Sequence, residues 1–288
     1  MMAEKPKAIL LAITAAALYA LSTPFSKLLM TQIPPSFMAG LLYLGAGLGM
    51  IPLCFVKNIS SSISTRRITR QDLPYIFGIV SLDIAAPIFL MTALIKVSAV
   101  NISLINNLEI ATTSVIAFLI FKEKISVRLW IGILLISAAG IILSFEGSKS
   151  LSFSPYSLFA FLACLCWGFE NNCTRKLSDC DTTKIVIIKG LGSGAGAILV
   201  ALITGERIGF SSFIFLALLL GFFAYGLSVF TYIQAQRFLG AAKTSSYYAV
   251  SPFIAALLSI AIYKEFPGVA FCIAFIIMAA GTFVITKE

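Results

Sequence analysis

Ala117-Phe118-Leu119-Ile120-Phe121-Lys122-Glu123 and Leu258-Ser259-Ile260-Ala261-Ile262-Tyr263-Lys264-Glu265 are two versions of one pattern, a long apolar run closed by a Lys-Glu pair. Each is followed by a second apolar run carrying Ala-Ala-Gly, at Ala138-Ala139-Gly140 and Ala279-Ala280-Gly281. The glutamates are 142 residues apart and the glycines 141. A period of that length splits the chain into residues 1–147 and 148–288, two copies of one unit with the working site expected between them.

Working outward, each copy contains five apolar runs. A helix needs roughly 20 mostly apolar residues to cross a hydrocarbon core about 30 Å thick. Ten stretches qualify: Ala8–Leu29, Ser36–Val56, Leu73–Ile95, Ala99–Phe121, Val127–Phe145, Pro155–Arg175, Thr182–Ile203, Phe210–Ile233, Ala241–Tyr263 and Pro267–Ile285. Five is odd, so a second copy begins on the opposite side of the membrane from the first. The expected fold class is therefore all-α, a polytopic membrane protein of ten transmembrane helices in a 5+5 inverted repeat. With 59% hydrophobic and 11% charged residues, little chain remains for a soluble catalytic domain. The first run follows Lys5 and Lys7 but is longer than a signal h-region, and it reads as a retained span.

Charge sets the orientation. With the N-terminus in the cytoplasm, fifteen Lys and Arg fall in inner segments, among them Arg66, Arg67, Arg70, Lys122, Lys124 and Arg128. Only Lys27, Lys96, Lys149, Arg207 and Lys264 fall outside, and Lys189 lies within the seventh span. That bias places both termini inside and the protein in the cell membrane. It also accounts for the net charge of +9 without a nucleic-acid partner. The loop Ser60–Arg67 is polar enough to touch anionic headgroups.

Six cysteines and no histidine give no metal site. Cys54, Cys164, Cys166 and Cys272 lie in apolar runs as small hydrophobes, and Cys164 and Cys166 point to opposite sides of a helix. Gly190-Leu191-Gly192-Ser193-Gly194-Ala195-Gly196 lies inside a span with no preceding strand, so it reads as a helix-packing face, as do Gly45 and Gly49. No cofactor is expected. No nucleophile–base pair or ATP-binding motif is present, and the chain reads as a non-enzyme.

Polar groups at mid-bilayer cost several kcal/mol unless they face a cavity or one another. Asp83 lies mid-span in the third run, with an amide or Lys189 as its candidate partner. Asn106, Asn107 and Glu109 lie in the fourth run, and Trp167, Glu170, Asn171 and Thr174 form a stripe in the sixth. Thr244, Tyr247, Tyr248 and Ser251 do the same in the ninth. Pro24 and Pro252 interrupt the backbone ladder and are candidate bending points.

With these motifs placed, the chain resembles the EamA type of the drug/metabolite transporter superfamily. The resemblance rests on Tyr19-Ala20-Leu21-Ser22-Thr23-Pro24-Phe25-Ser26-Lys27, on Trp167-Gly168-Phe169-Glu170-Asn171-Asn172-Cys173-Thr174-Arg175, and on the two Lys-Glu endings. It implies alternating-access transport of small organic metabolites through a cavity lined by the fourth and ninth spans. Asn106, Asn107, Glu109, Tyr247, Tyr248 and Ser251 would then touch substrate, with Trp167, Glu170 and Asn171 toward the cytoplasmic mouth. Asp83, Glu109, Pro24 and Pro252 would serve coupling or gating. The mid-helix proline Pro252 has Ile110 as its counterpart, so the two walls are expected to bend unequally. The expected partners are a small-molecule substrate such as an amino acid, and the lipid bilayer; the chain acts as a monomer or homodimer. The alternatives are proton-coupled efflux of lipophilic cations and a membrane-embedded lipid enzyme or scaffold.

Overall fold

The computed structural model describes residues 4–60, 66–123, 126–144, 155–209, 211–264 and 268–286. Glu265 of the second Lys-Glu pair, part of the Ser60–Arg67 loop and the boundary between the halves at 147 and 148 lie outside the described residues.

Within them the chain is entirely helical, without a strand. Its helices are α1 (Glu4–Tyr19), α2 (Ser22–Leu29), α3 (Pro35–Ser60), α4 (Leu73–Leu94), α5 (Ala99–Ile105), α6 (Leu108–Leu119) and α7 (Val127–Ser144) in the first half. The second half holds α8 (Pro155–Leu177), α9 (Thr182–Ile203), α10 (Ser212–Gly221), α11 (Ser228–Leu239), α12 (Ala241–Tyr248), α13 (Ser251–Tyr263) and α14 (Val269–Thr286). A π-helical turn, Phe222–Leu227, joins α10 to α11. Six stretches are long and apolar enough to cross a membrane: Pro6–Leu29, Pro35–Cys54, Arg70–Leu94, Asn101–Leu119, Thr182–Ile203 and Ser212–Leu239. Large side chains such as Leu10, Phe77, Leu134, Ile203 and Phe215 are exposed, as a lipid-facing surface requires. The molecule is a multi-pass membrane protein.

Helices are interrupted where the sequence signals a break, and once where it does not. Pro24 lacks an N–H to give Ala20, and the chain turns at Ala20–Leu21 before α2 begins. Pro252 sits at the second residue of α13, just after the break at Ala249–Val250. The fourth run, which has Ile110 where the ninth has Pro252, also breaks, at Asn106–Asn107. There the Glu109 and Ile110 N–H groups bond back three residues, to the Asn106 and Asn107 carbonyls (each 3.1 Å). The two breaks lie 143 residues apart. Lys122 and Lys264, closing the repeated endings, both adopt left-handed backbone angles (φ 56° and 53°), which end their helices.

The main helix pairings cross between the halves: α3 with α9, α4 with α8, α7 with α14, α1 with α11 and α5 with α13. The α3–α9 seam depends on glycine. A Cβ on Gly190 would lie 2.3 Å from the Gly47 nitrogen, and one on Gly47 would lie 2.8 Å from the Leu191 nitrogen. These obstacles are backbone atoms, so only backbone movement relieves them. The end of the same seam is tied by Glu206, whose carboxylate accepts from Ser36 N (3.1 and 3.2 Å), Phe37 N (3.1 Å) and Ser36 Oγ (2.8 Å) at the start of α3.

Substituting Gly190→Ala should cost about 1–3 kcal/mol of stability by overpacking the seam. Gly209→Ala, where nothing lies within 4 Å of the added carbon, should be neutral. Thermal unfolding of the two variants in the same detergent checks both.

Candidate functional site: a buried ion triad in a tyrosine-walled cavity

Three helices meet at Lys189. It projects from α9, and its ammonium lies 2.7 Å from Glu170 Oε1 on α8 and 3.1 Å from Asp83 Oδ2 on α4. All three residues are buried. One turn on, Thr174 Oγ1 also donates to Glu170 Oε1. An ion pair out of water holds only when its geometry and hydrogen bonds offset the desolvation of each charge. Here two carboxylates share one ammonium.

The next residue on α8 carries the network to a third acid. Asn171 Nδ2 donates to Glu109 Oε1 (2.7 Å) and to Thr113 Oγ1 (3.2 Å), both on α6, and its own carbonyl accepts from Gln236 Nε2 (3.2 Å). Asn172 Nδ2 donates to the carbonyls of Thr113 (3.0 Å) and Gly168 (2.9 Å). These two amides pin α8 against α6. Gly168 makes that approach possible, since a Cβ there would lie 2.6 Å from Thr112 Oγ1.

The triad and Glu109 line one cavity of about 40 Å³ together with Tyr19, Tyr43, Trp167, Tyr225, Tyr232 and Tyr248. The rings pack edge to face or tilted: Tyr19 stands 6.1 Å from Trp167, 5.5 Å from Tyr225 and 5.7 Å from Tyr248, and Tyr232 stands 5.0 Å from Tyr248. Ser22 donates to the Tyr225 hydroxyl (3.2 Å), and the hydroxyls of Tyr232 and Ser245 are 2.7 Å apart. A water needs roughly 10–15 Å³ of such space, so this closed form admits a few waters and no metabolite. A smaller chamber of about 10 Å³ adjoins it, lined by Asn106, Asn107, Glu109, Ser245, Tyr248 and Pro252 among others. A third cavity, of about 300 Å³, is lined by Phe121, Glu123, Asn172, Arg175, Lys176 and Asp179 at the ends of α6 and α8.

Of the residues singled out in the sequence, Asp83, Glu109, Trp167, Glu170, Asn171 and Tyr248 are brought together in the central cavity. The open choice for Asp83 resolves to Lys189. Asn106, Asn107 and Pro252 line the small chamber instead. Tyr247 lines neither space: neighbours on a helix point about 100° apart, and Tyr248 takes the inward direction. Ser251 is buried at the break and lines neither space, and its hydroxyl has no partner among the described residues. Pro24 stands apart from both, its carbonyl accepting from the Tyr263 hydroxyl at 2.7 Å. Tyr19, Tyr43, Tyr225 and Tyr232 are cavity residues that the sequence reading did not choose, and Lys189 was named there only as a partner for Asp83. The signal lay in the tyrosines: five of the chain's nine line the central cavity, against none of its 24 phenylalanines among the described residues.

The model of the EamA-like transporter family matches residues 6–145 and again 154–287. The chain belongs to the EamA-like transporter family. A relative from Methanothermobacter thermautotrophicus, described as an uncharacterized transporter, is 26% identical over 297 residues, covering 95% of this chain and 84% of its own. The uncharacterized transporter YyaM of Bacillus subtilis is 27% identical over 245 residues, covering 80% and 77%. One solved structure, described only as the crystal structure of a protein, superposes with a TM-score of 0.76 at 17% identity, covering 98% of this chain and 96% of that one. At that identity it speaks for the fold alone.

Replacing Lys189 by Met leaves Asp83 and Glu170 buried together without their cation. That should cost about 3–5 kcal/mol, read as a lowered unfolding midpoint. Adding Asp83→Asn and Glu170→Gln to the Lys189→Met variant should restore most of the loss.

Proposed function

We propose that this EamA-family transporter is a secondary carrier of a small organic metabolite bearing an ammonium group, such as an amino acid or related compound, working by alternating access. The observation that carries this reading is the charge balance of the cavity. Three carboxyl groups, Asp83, Glu109 and Glu170, line the cavity with one ammonium, that of Lys189, which pairs with the first and the last. In a low-dielectric space an excess of acid attracts cations or protons. Glu109 is the acid without a basic partner among the described residues, and the rings of Tyr19 and Tyr248 flank its cavity. A substrate ammonium between Glu109 and those rings would gain both a charge partner and cation–π contact. Asn171 orients the carboxylate, and Trp167 and Tyr232 close the walls. Export of lipophilic cations is disfavoured by the lining, in which nearly every ring carries a hydroxyl.

Ten spans in a 5+5 inverted repeat, with both termini in the cytoplasm, are part of the same proposal. The pairing of helices supports it, because replacing each apolar span by its counterpart in the other half returns the same set of paired spans. So does a matched pair of cation–ring contacts. The Lys27 ammonium lies 5.8 Å from the Tyr263 ring centre, and that of Lys176 lies 5.7 Å from the Phe121 ring centre. Phe121 and Tyr263 are counterparts under the repeat. In this topology the first contact closes the outer face and the second the inner face, where the 300 Å³ cavity serves as the cytoplasmic vestibule.

Transport tests the reading. A thermal-shift survey of purified protein against primary-amine metabolites identifies the substrate, which stabilises the folded form. In proteoliposomes, Glu109→Gln should then lower its flux at least about tenfold, the loss of one charged contact, and flatten its pH dependence. Unchanged flux with an unchanged pH profile removes Glu109 from the mechanism. For topology, Ser126→Cys and Gly268→Cys are introduced separately into a cysteine-free background. An impermeant maleimide applied to intact cells should label only the second, and equal labelling of both would defeat the inverted arrangement.

A further inference from the structure

The small chamber beside Glu109 has a chemistry that substrate binding does not explain. It lies where both interrupted runs break, between Asn106–Asn107 and Ala249–Val250, and its volume of about 10 Å³ fits one water-sized species. An organic metabolite does not enter such a space.

Its lining is rich in acceptors. Asn106 is 5% exposed and Asn107 1%, and the side-chain oxygens of both have no hydrogen-bond partner among the described residues. Asn107 lines the chamber, and its Nδ2 lies 3.5 Å from Met278 Sδ. Glu109 uses Oε1 to accept from Asn171, and no donor among the described residues reaches its other oxygen. The Ser245 and Tyr232 hydroxyls share one hydrogen bond in which either can donate, and the Tyr19 hydroxyl, which also lines the chamber and has no partner among the described residues, offers a further oxygen. Buried acceptors left empty cost roughly 1–3 kcal/mol each. A water would satisfy two of them but would leave the Glu109 carboxylate without a counter-charge. A small inorganic cation needs only oxygens, and the Glu109 carboxylate supplies the compensating charge. Interrupted helices also free backbone carbonyls from the helical ladder, a further source of oxygen ligands.

We infer that this chamber is a binding site for a small monovalent metal cation, Na⁺ in the first instance, held by the side-chain oxygens of Asn106 and Asn107 and by Glu109. The inference rests on the transporter reading for its meaning, because Glu109 lines both spaces and so joins the ion to the organic substrate. Its test does not depend on transport.

The unfolding midpoint of the purified full-length protein is measured at fixed pH and ionic strength with NaCl replaced stepwise by choline chloride, and in parallel with LiCl and KCl. Na⁺ should raise the midpoint saturably, by about 2–4 °C once it exceeds its Kd several-fold, where choline does not. Asn106→Ala and Asn107→Ala should each abolish most of the rise. If a variant does not fold, equilibrium binding of radioactive sodium to the wild-type protein, displaced by unlabelled Na⁺, gives the answer directly. Midpoints in Na⁺, Li⁺ and K⁺ that match those in choline would mean a water site only and would overturn the inference. So would a Na⁺ response that survives both substitutions. A Na⁺ response in protein that carries no amine substrate leaves the inference standing and defeats the carrier reading alone. The reverse result, amine flux without a Na⁺ response, defeats the ion site alone.

Discussion

One ammonium group organises this molecule. Lys189 brings α4, α8 and α9 to a common point by holding Asp83 and Glu170, and nearly every other polar contact in the interior is reached from there. Thr174 and Asn171 extend it along α8, Glu109 and Thr113 continue it on α6, and Gln236 ties in α11. Lipid cannot solvate any of these groups, so each must find its partner inside. The consequence is a narrow polar interior in which most groups are paired and the exceptions, such as the Asn106 and Asn107 oxygens, stand out.

That interior is built from broken elements. A continuous helix offers a membrane no free backbone group, whereas a break exposes carbonyls and N–H groups and allows the two pieces to point differently. The chain places its breaks at Ala20–Leu21, Asn106–Asn107 and Ala249–Val250, and residues from these runs line one or both spaces. The π-helical turn Phe222–Leu227 contributes Tyr225 in the same way. Regular helices such as α7 and α14 pack against each other and add nothing to the central cavity lining.

Much of this was legible in the amino-acid order, for reasons that differ from residue to residue. Glu109, Glu170 and Asp83 announce themselves because a carboxylate within an apolar run has few tolerable locations. Gly190 was readable as a packing position, as were Gly45 and Gly49, but the residue that meets Gly190 is Gly47 between them, which the small-residue spacing did not single out. Lys189 was visible but carried no signal of its own, since a lysine within a span can extend its stem toward either surface. The tyrosines were harder still. A single Tyr43 or Tyr225 looks like any interfacial aromatic, and only the fold shows that five of them converge. The break at Asn106–Asn107 escaped notice because it uses no proline or glycine. It is bridged by a pair of three-residue backbone bonds, which leave no mark on residue type. The choice between Tyr247 and Tyr248 likewise awaited the rotation of α12.

The glycine contact between α3 and α9 reaches further than packing. These two helices come from opposite halves, touch backbone to backbone near Gly47 and Gly190, and are fastened again where Glu206 grips the first turn of α3. Two rods joined in that way act as a fixed keel. Any swing that admits a solute must then pivot around them, carried by the jointed runs on the other side of the cavity. Lys189 rises from this keel, so in the proposed carrier the charge at the centre would stay put while the walls around it move.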